Sequence, residues 1–378
     1  MEQALKSKEI PPDKKLIWIH VASLGEFEQG HPLMKALRQA YADKVFILLT
    51  FFSPSGYEVR KDYELADVVT YLPLDVPKYV RQFLDLFTPD LAIFIKNDLW
   101  FNFLSECLRR GVTCVSAVSM FRPDQIYFNR GKRLFLPILR KMDHFFVQDG
   151  RSFEVLANKN IAQATVAGDT RVDRVVTIAS ETYGNESIQR FIDGNRLLIV
   201  FGSVWSSDMG IVEAVMKALP QYQYILAPHN VDDGKLKSRL DALKGRTFYS
   251  SSKLNGRDVL ILDVIGLLSR VYRFARYAYV GGAFQSGVHN TLEPAAYGIP
   301  IFVGDTRLIR KFSEIEELSA SGGIILTDQH GNEMLRMISE LDQNPSEYDE
   351  RAAIVKNYIS QHRGATDIIS NYLINQLK

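Results

Sequence analysis

The chain has 378 residues, of which 46% are hydrophobic and 24% charged, and its formal net charge is +1. That is the composition of a soluble globular protein with room for two domains of ordinary size. So small a net charge excludes a global field for nucleic acid or another polyanion, and no apolar run approaches the length of a membrane span.

The first fifteen residues are polar, contain Pro11-Pro12 and do not read as a signal peptide. Downstream, short apolar runs alternate with amphipathic stretches. Strands are expected at 16–22, 44–50, 68–72, 91–95, 113–118, 144–147 and 164–167. Helices are expected at about 31–41 and 77–86. Residues 173–195 are polar and helical and read as a connection between domains. A second set of strands follows at 197–201, 223–227, 259–262, 277–280, 301–303 and 323–326, with helix from about 345. This alternation predicts an α/β protein of two Rossmann-like, doubly wound parallel-sheet domains facing across a cleft. The expected divisions are 1–175 for the N-terminal domain and 176–195 for a linker. The C-terminal domain is expected at 196–345, with C-terminal helices at 346–378 and a route back onto the first domain open to them. Cys107 and Cys114 form neither a metal pattern nor a disulfide framework; free thiols in a reducing, cytoplasmic compartment fit them.

Each candidate motif follows an expected strand, where ligands bind in such sheets. Ser23-Leu24-Gly25-Glu26 follows the first. Glu26 reads either as a general base for a hydroxyl or as the cap of a helix, and Glu28 as a solvated neighbour. Ser53, Ser55 and Gly56 follow the second strand and suit an anion or plain N-capping. Lys96, Asp98 and Trp100 cluster after the fourth. Arg122 and Arg130 belong to a basic and bulky apolar stretch suited to an anionic lipid surface or to an ordinary solvated helix. Gly202-Ser203 and the Gly281-Gly282 to Glu293 segment read as turns that approach a phosphate. In the latter, Asn290 or Thr291 would cap a helix start, and His289 and Glu293 would share a face of it. No GK[ST] follows Ser203 and no GxGxxG is present, so neither a Walker nor a dinucleotide motif is supported. Pro228, His229 and Gly266 are weaker signals after other strands of the second half.

Taken in order, these residues resemble the 3-deoxy-D-manno-octulosonic acid (Kdo) transferases of lipopolysaccharide assembly, inverting glycosyltransferases of the GT-B fold. The likeness runs from about Ile17 to about Asp305 through seven motifs in the family's order. Ser23–Glu26 matches its Ser-x-Gly-Glu and Thr50–Gly56 its Thr-x-x-x-Gly type, while Lys96–Asn102 looks like Glu-x-Glu-Leu-Trp-Pro-Asn. Gly168–Asp173 is similar to Gly-Asn-x-Lys-Phe-Asp, and Gly202-Ser203 opens the Gly-Ser-Thr-His element. Pro228-His229-Asn230 looks like the His-Pro-Glu-Arg region, and Gly287–Glu293 like Gly-Gly-His-Asn-x-x-Glu. The chain departs at Lys96 and Asp98 for Glu, Phe101 for Pro, Val204-Trp205 for Thr-His and Val288 for Gly.

The resemblance implies transfer of Kdo from CMP-Kdo to a lipid A precursor by a cytoplasmic enzyme peripheral on the inner membrane. No metal or other cofactor and no nucleic-acid partner is expected. Glu26 and Asp98 would be catalytic. Arg171, Gly202, Ser203, Pro228, His229, Gly266, Gly281, Gly282, His289, Asn290 and Glu293 would hold the donor. Gly25, Ser53, Ser55, Gly56, Lys96, Arg122 and Arg130 would face the acceptor. The alternatives are another nucleotide-sugar transferase or epimerase using a UDP- or ADP-sugar, and an inactive binding protein of the same fold.

Overall fold

The computed structural model of the protein describes residues 10–128, 134–192, 194–250, 258–285 and 287–377. The chain forms two compact units, Met1–Arg174 with His362–Lys378, and Val175–Gln361. It passes from the first to the second inside the helix Thr170–Ser180.

The first unit holds a sheet of β1 (Lys15–Val21), β2 (Val45–Phe51), β3 (Val68–Tyr71), β4 (Leu91–Ile95), β5 (Thr113–Ser119), β6 (His144–Val147) and β7 (Ala164–Val166). Their order is β3-β2-β1-β4-β5-β6-β7, with every neighbouring pair parallel. Because helices cover both faces, the central strands are apolar throughout rather than alternating. All seven residues of β2 and all five of β4 are buried. The pleat still sorts β1: Leu16 and Trp18 enter the core on one face, Ile17, Ile19 and Val21 that on the other.

The second unit repeats the scheme. β8 (Leu198–Val204), β9 (Gln223–Pro228), β10 (Arg246–Phe248), β11 (Val259–Ile261), β12 (Tyr277–Val280), β13 (Ile301–Gly304) and β14 (Ile324–Thr327) lie in the order β10-β11-β9-β8-β12-β13-β14, again all parallel. In both sheets the order reverses beside the first strand of the unit, between β1 and β4 and between β8 and β12. Crevices at such reversals are where doubly wound sheets bind ligands.

Three sequence expectations change. The first helix starts at Leu24, not near His31, and carries Pro32 inside it. The stretch expected as a linker is two helices, Thr170–Ser180 and Glu186–Phe191; Ile188 and Phe191 are buried in the core under the second sheet. The C-terminal helices divide. Pro345–Gln361 belongs to the second unit, whereas Ala365–Gln376 packs along Leu24–Tyr41 in the first, burying Ile369 and Leu373. That last helix has no cap of its own, and the Asp173 carboxylate supplies one by accepting from the Gly364 and Thr366 amides, each at 2.7 Å. Asp173→Ala is expected to cost about 1–2 kcal/mol, the usual worth of an N-cap, read as a lower urea midpoint at unchanged slope.

Candidate active site

Glu26 and the Lys96–Asp98 segment stand at the carboxyl ends of β1 and β4, the two strands at the reversal of the first sheet. Glu26 lies in the first turn of Leu24–Tyr41 and reaches back over it. Its Oε2 accepts from the Ala22 amide at 2.6 Å and the Ser23 amide at 3.0 Å, the carboxylate half of a capping box. The capping role weighed from sequence is therefore real. It leaves Oε1 without a hydrogen bond among the described residues, so cap and base are compatible. Burial raises the Glu26 pKa, Lys96 pulls it down and Asp98 pushes it up. A proton acceptor held by two amides, half-buried and raised above its ordinary range suits general-base work.

Lys96 is exposed and takes φ 61°, left-handed for a residue with a side chain. The Ser116 and Ser119 hydroxyls both bond its carbonyl and hold the turn, at 3.2 and 2.8 Å. Asp98 is braced by two rings: its Oδ2 lies 2.7 Å from His20 Nε2 and 3.1 Å from Trp100 Nε1.

Of the remaining acceptor candidates, the Ser53–Gly56 turn lies against the segment that carries Glu26, the Ser53 amide donating to the Ala22 carbonyl at 2.7 Å. Ser53 caps the helix Pro54–Arg60, accepting from the Ser55 amide at 3.3 Å. A Cβ on Gly56 would meet the Phe51 ring at 2.4 Å, so this glycine serves packing. Gly25 sits in the first turn beside Glu26. Arg122 is an exposed partner of Asp124 at 3.5 Å, the kind of pair worth little. Arg130 lies outside the described residues. Glu28, expected in solvent, is instead half-buried and paired with Arg60 and Arg174.

In the second unit, Gly202-Ser203 ends β8 and Gly281-Gly282 follows β12, again the two strands at the reversal. Close approach explains these glycines. A Cβ on Gly202 would lie 1.9 Å from the Tyr272 hydroxyl, and one on Gly281 would lie 2.5 Å from the Ser203 carbonyl. Gly282 takes φ 99°, which only glycine adopts without strain. The loop that follows differs from the expected phosphate turn. The Gly281, Gly282, Gly287 and His289 amides bond inward, to Gly202, Asp208, Gly282 and Gly281. The helix after it is the single turn Leu292–Ala295. Of the two expected caps, Thr291 takes the N-cap position without a side-chain bond there, while the Asn290 side chain accepts from the Leu292 amide at 3.1 Å and donates to Glu293 at 3.3 Å. The Val288, Asn290 and Thr291 amides have no partner among the described residues.

Trp205, His229 and His289 form one aromatic group. Trp205 and His289 lie nearly coplanar, and the indole N–H donates to His289 Nε2 at 3.0 Å. His229 stacks on both, with centroids 4.2 and 4.1 Å away. Burial and the His229 ring push the His289 pKa down to about 4. Pro228 lines a cavity of about 410 Å³ with Asn230, Phe248 and Asp263. Gly266 is in the exposed loop after β11, beside the almost fully exposed Ile265. Arg171 belongs to the first unit and pairs with Asp169 at 2.6 Å. Among the described residues no three His, Cys, Asp or Glu side chains gather as metal ligands.

Sequence reading passed over two residues that organise these sites, His20 and Asp208. His20 stands in the apolar run of β1, where a polar residue was the available signal, whereas Asp208 follows Ser206-Ser207 and carried none. Asp208 is 0% exposed and accepts from the Trp205 amide at 2.9 Å, the Gly282 amide at 3.1 Å and the Tyr279 hydroxyl at 2.9 Å. It ties the loop after β8 to the loop after β12. Asp208→Asn turns an acceptor into a donor facing one of these partners. It is expected to cost about 1.5–3 kcal/mol in thermal unfolding, the range for hydrogen bonds to a charged group.

The family model "3-Deoxy-D-manno-octulosonic-acid transferase (kdotransferase)" matches residues 2–174. The chain is 29% identical over 371 residues to a 3-deoxy-D-manno-octulosonic acid transferase of Chlamydophila psittaci, covering 93% of this chain and 82% of that one. It is 26% identical over 344 residues to the enzyme so named from Aquifex aeolicus, covering 87% and 86%. Among solved structures, the S. aureus MnaA-UDP co-structure superposes with TM-score 0.64 at 14% identity, covering 96% of this chain and 97% of that one. The UDP-GlcNAc 2-epimerase of Neisseria meningitidis bound to UDP-GlcNAc gives 0.63 at 14%, covering 96% and 100%. At that identity the likeness is one of fold, the two-domain Rossmann-like GT-B architecture. The order of the motifs, the residues at both sheet reversals and these matches agree: the chain is similar to 3-deoxy-D-manno-octulosonic acid transferases over most of its length and is a glycosyltransferase.

Proposed function

We propose that this protein is an inverting glycosyltransferase that moves Kdo from CMP-Kdo to a lipid A precursor in lipopolysaccharide biosynthesis. The observation that carries the mechanism is Glu26, half-buried, with one carboxylate oxygen held by two amides and the other unengaged, beside Lys96 and Asp98. In the reaction, the free oxygen of Glu26 takes the proton of the acceptor hydroxyl. The acceptor hydroxyl oxygen forms the new bond to the anomeric carbon while the bond from that carbon to the CMP phosphate breaks, and the electron pair of the broken bond leaves with CMP. Attack opposite the leaving group inverts the anomeric centre. A base is needed because a sugar hydroxyl is not an anion at neutral pH.

The second unit is assigned to CMP. The free amides of Val288, Asn290 and Thr291, rather than those of the glycine turn, are the donors for its phosphate, with His289 beside them. The sugar and base would lie among Glu293, Pro228, His229 and Gly266. Lys96 supplies a cation for a phosphorylated acceptor. The reading includes no metal. Among the described residues no helix is long and apolar enough to cross a membrane, so contact with the cytoplasmic face of the inner membrane would be peripheral.

Glu26→Ala is expected to lower transfer by at least about 10²-fold, the usual worth of a positioned base, with CMP affinity nearly unchanged. Near-wild-type transfer, read by mass on a lipid A precursor, overturns the assignment of the base. CMP is expected to compete with the donor where UDP does not, and EDTA to leave the rate unchanged; the reverse in either assay rejects that part of the reading. Because the base works ionised and its pKa is raised, activity should fall with decreasing pH at a point above the ordinary glutamate value of about 4.3. A pH–rate profile flat through that region counts against Glu26.

A further inference from the structure

Strand β1 buries a titratable group that the proposed chemistry does not use. His20 is 0% exposed, and both its ring nitrogens are engaged. Nδ1 lies 2.8 Å from Thr50 Oγ1 and Nε2 lies 2.7 Å from Asp98 Oδ2. Register puts His20 directly beside Thr50 on β2 and Phe94 on β4. Sealed in this way, it has no nitrogen to offer an acceptor hydroxyl.

The partners dictate the direction of each bond. Trp18 Nε1, which can only donate, takes one lone pair of Thr50 Oγ1 at 2.8 Å. The Thr50 hydroxyl keeps its hydrogen and a second lone pair, and it donates to His20 Nδ1 when the ring proton sits on Nε2. A carboxylate can only accept, so Nε2 carries the imidazole proton and gives it to Asp98. Trp100 Nε1 is 3.3 Å from Nε2 but 3.1 Å from the same Asp98 oxygen, and an Nε2 that already bears hydrogen leaves the carboxylate as its acceptor. The result is a one-way chain from Trp18 through Thr50 and His20 to Asp98.

We propose that His20 is a positioning residue for the transfer reaction: anchored by Trp18 and Thr50, it holds the Asp98 carboxylate at a fixed place beside Glu26. This rests on the assignment of Glu26 as the base. Asp98 and Lys96 are the charged groups that act on Glu26, in opposite senses, and Tyr127, with its hydroxyl on the Asn97 carbonyl, is the neighbouring titratable group. If Asp98 swings away, Lys96 is left to act alone and Glu26 becomes a weaker base. The buried histidine thus sets how readily the acceptor proton is taken, without touching the acceptor.

Two variants and one spectrum test this. His20→Phe keeps a ring and removes both hydrogen bonds. Its kcat should fall about 10-fold, and the acid limb of its pH profile should move down by about one unit. The KM for CMP-Kdo should stay within about twofold. His20→Gln retains an N–H that can donate to Asp98 and should return the limb to the wild-type position. A wild-type limb in folded His20→Phe, or a limb in His20→Gln displaced as far as in His20→Phe, overturns the proposal. Should His20→Phe fail to fold, ¹⁵N NMR of the histidines in the wild-type protein decides. The ring proton of His20 is expected on Nε2, and a proton on Nδ1 refutes the chain. The spectrum is independent of substrate. Absent Kdo transfer with the Nε2–H tautomer intact rejects the reaction; a proton on Nδ1 with Kdo transfer intact rejects the role of His20.

Discussion

Every strand of both sheets runs parallel to its neighbours, and that constraint governs the rest of the molecule. Parallel pairing requires a crossover after each strand, so all carboxyl ends of a sheet share one edge. Crossovers leave to opposite sides from the reversal, and the loops there diverge and open a crevice. In the first unit the loops at that point carry Glu26 and Asp98; in the second they carry Ser203 and Gly281. Chemistry is concentrated where the topology prevents the chain from covering its own strand ends.

Holding side chains at these edges strains the backbone. Lys96, Val118 and Ser203 all take left-handed conformations with φ between 52° and 61°, and each lies at the end of a strand or at a bulge next to a reversal loop. Such residues cost on the order of 1–3 kcal/mol each and persist only where the surroundings over-determine them. Here buried polar anchors do so. Ser116 and Ser119 grip the Lys96 carbonyl, and Asp208 grips both loops of the second unit. The Asp208 pKa is raised by burial and held down by the same three donors, so one carboxylate offsets its own desolvation while it braces the site.

The departures from the family pattern take on physical meaning in this setting. Lys96, where the family pattern has a glutamate, brings a cation to the Glu26 carboxylate, which burial makes reluctant to ionise. Trp205 replaces a histidine and fixes His289 by an indole hydrogen bond, which keeps Nε2 unprotonated. Val288 departs from the pattern only in its side chain, and its amide has no partner among the described residues.

The sequence by itself determined the class of fold, most strand positions and the order of the site motifs. Apolar runs such as Val45–Phe51 and Leu91–Ile95 suit only strands covered on both faces, and these signals are local. It placed Glu26 and Lys96–Asp98 after strands but left their proximity open, because strand order depends on long-range pairing. The same limit hid His20, which reads as one more strand residue until Thr50 and Asp98 close around it. The helix expected after Gly281-Gly282 shrank to one turn, since a cap residue and a proline mark a start but carry no information about length. Tertiary structure alone decided which amides the glycine turn uses up, which carboxylate is desolvated and which glycines serve packing. Each of those outcomes is set by atoms far apart in the chain.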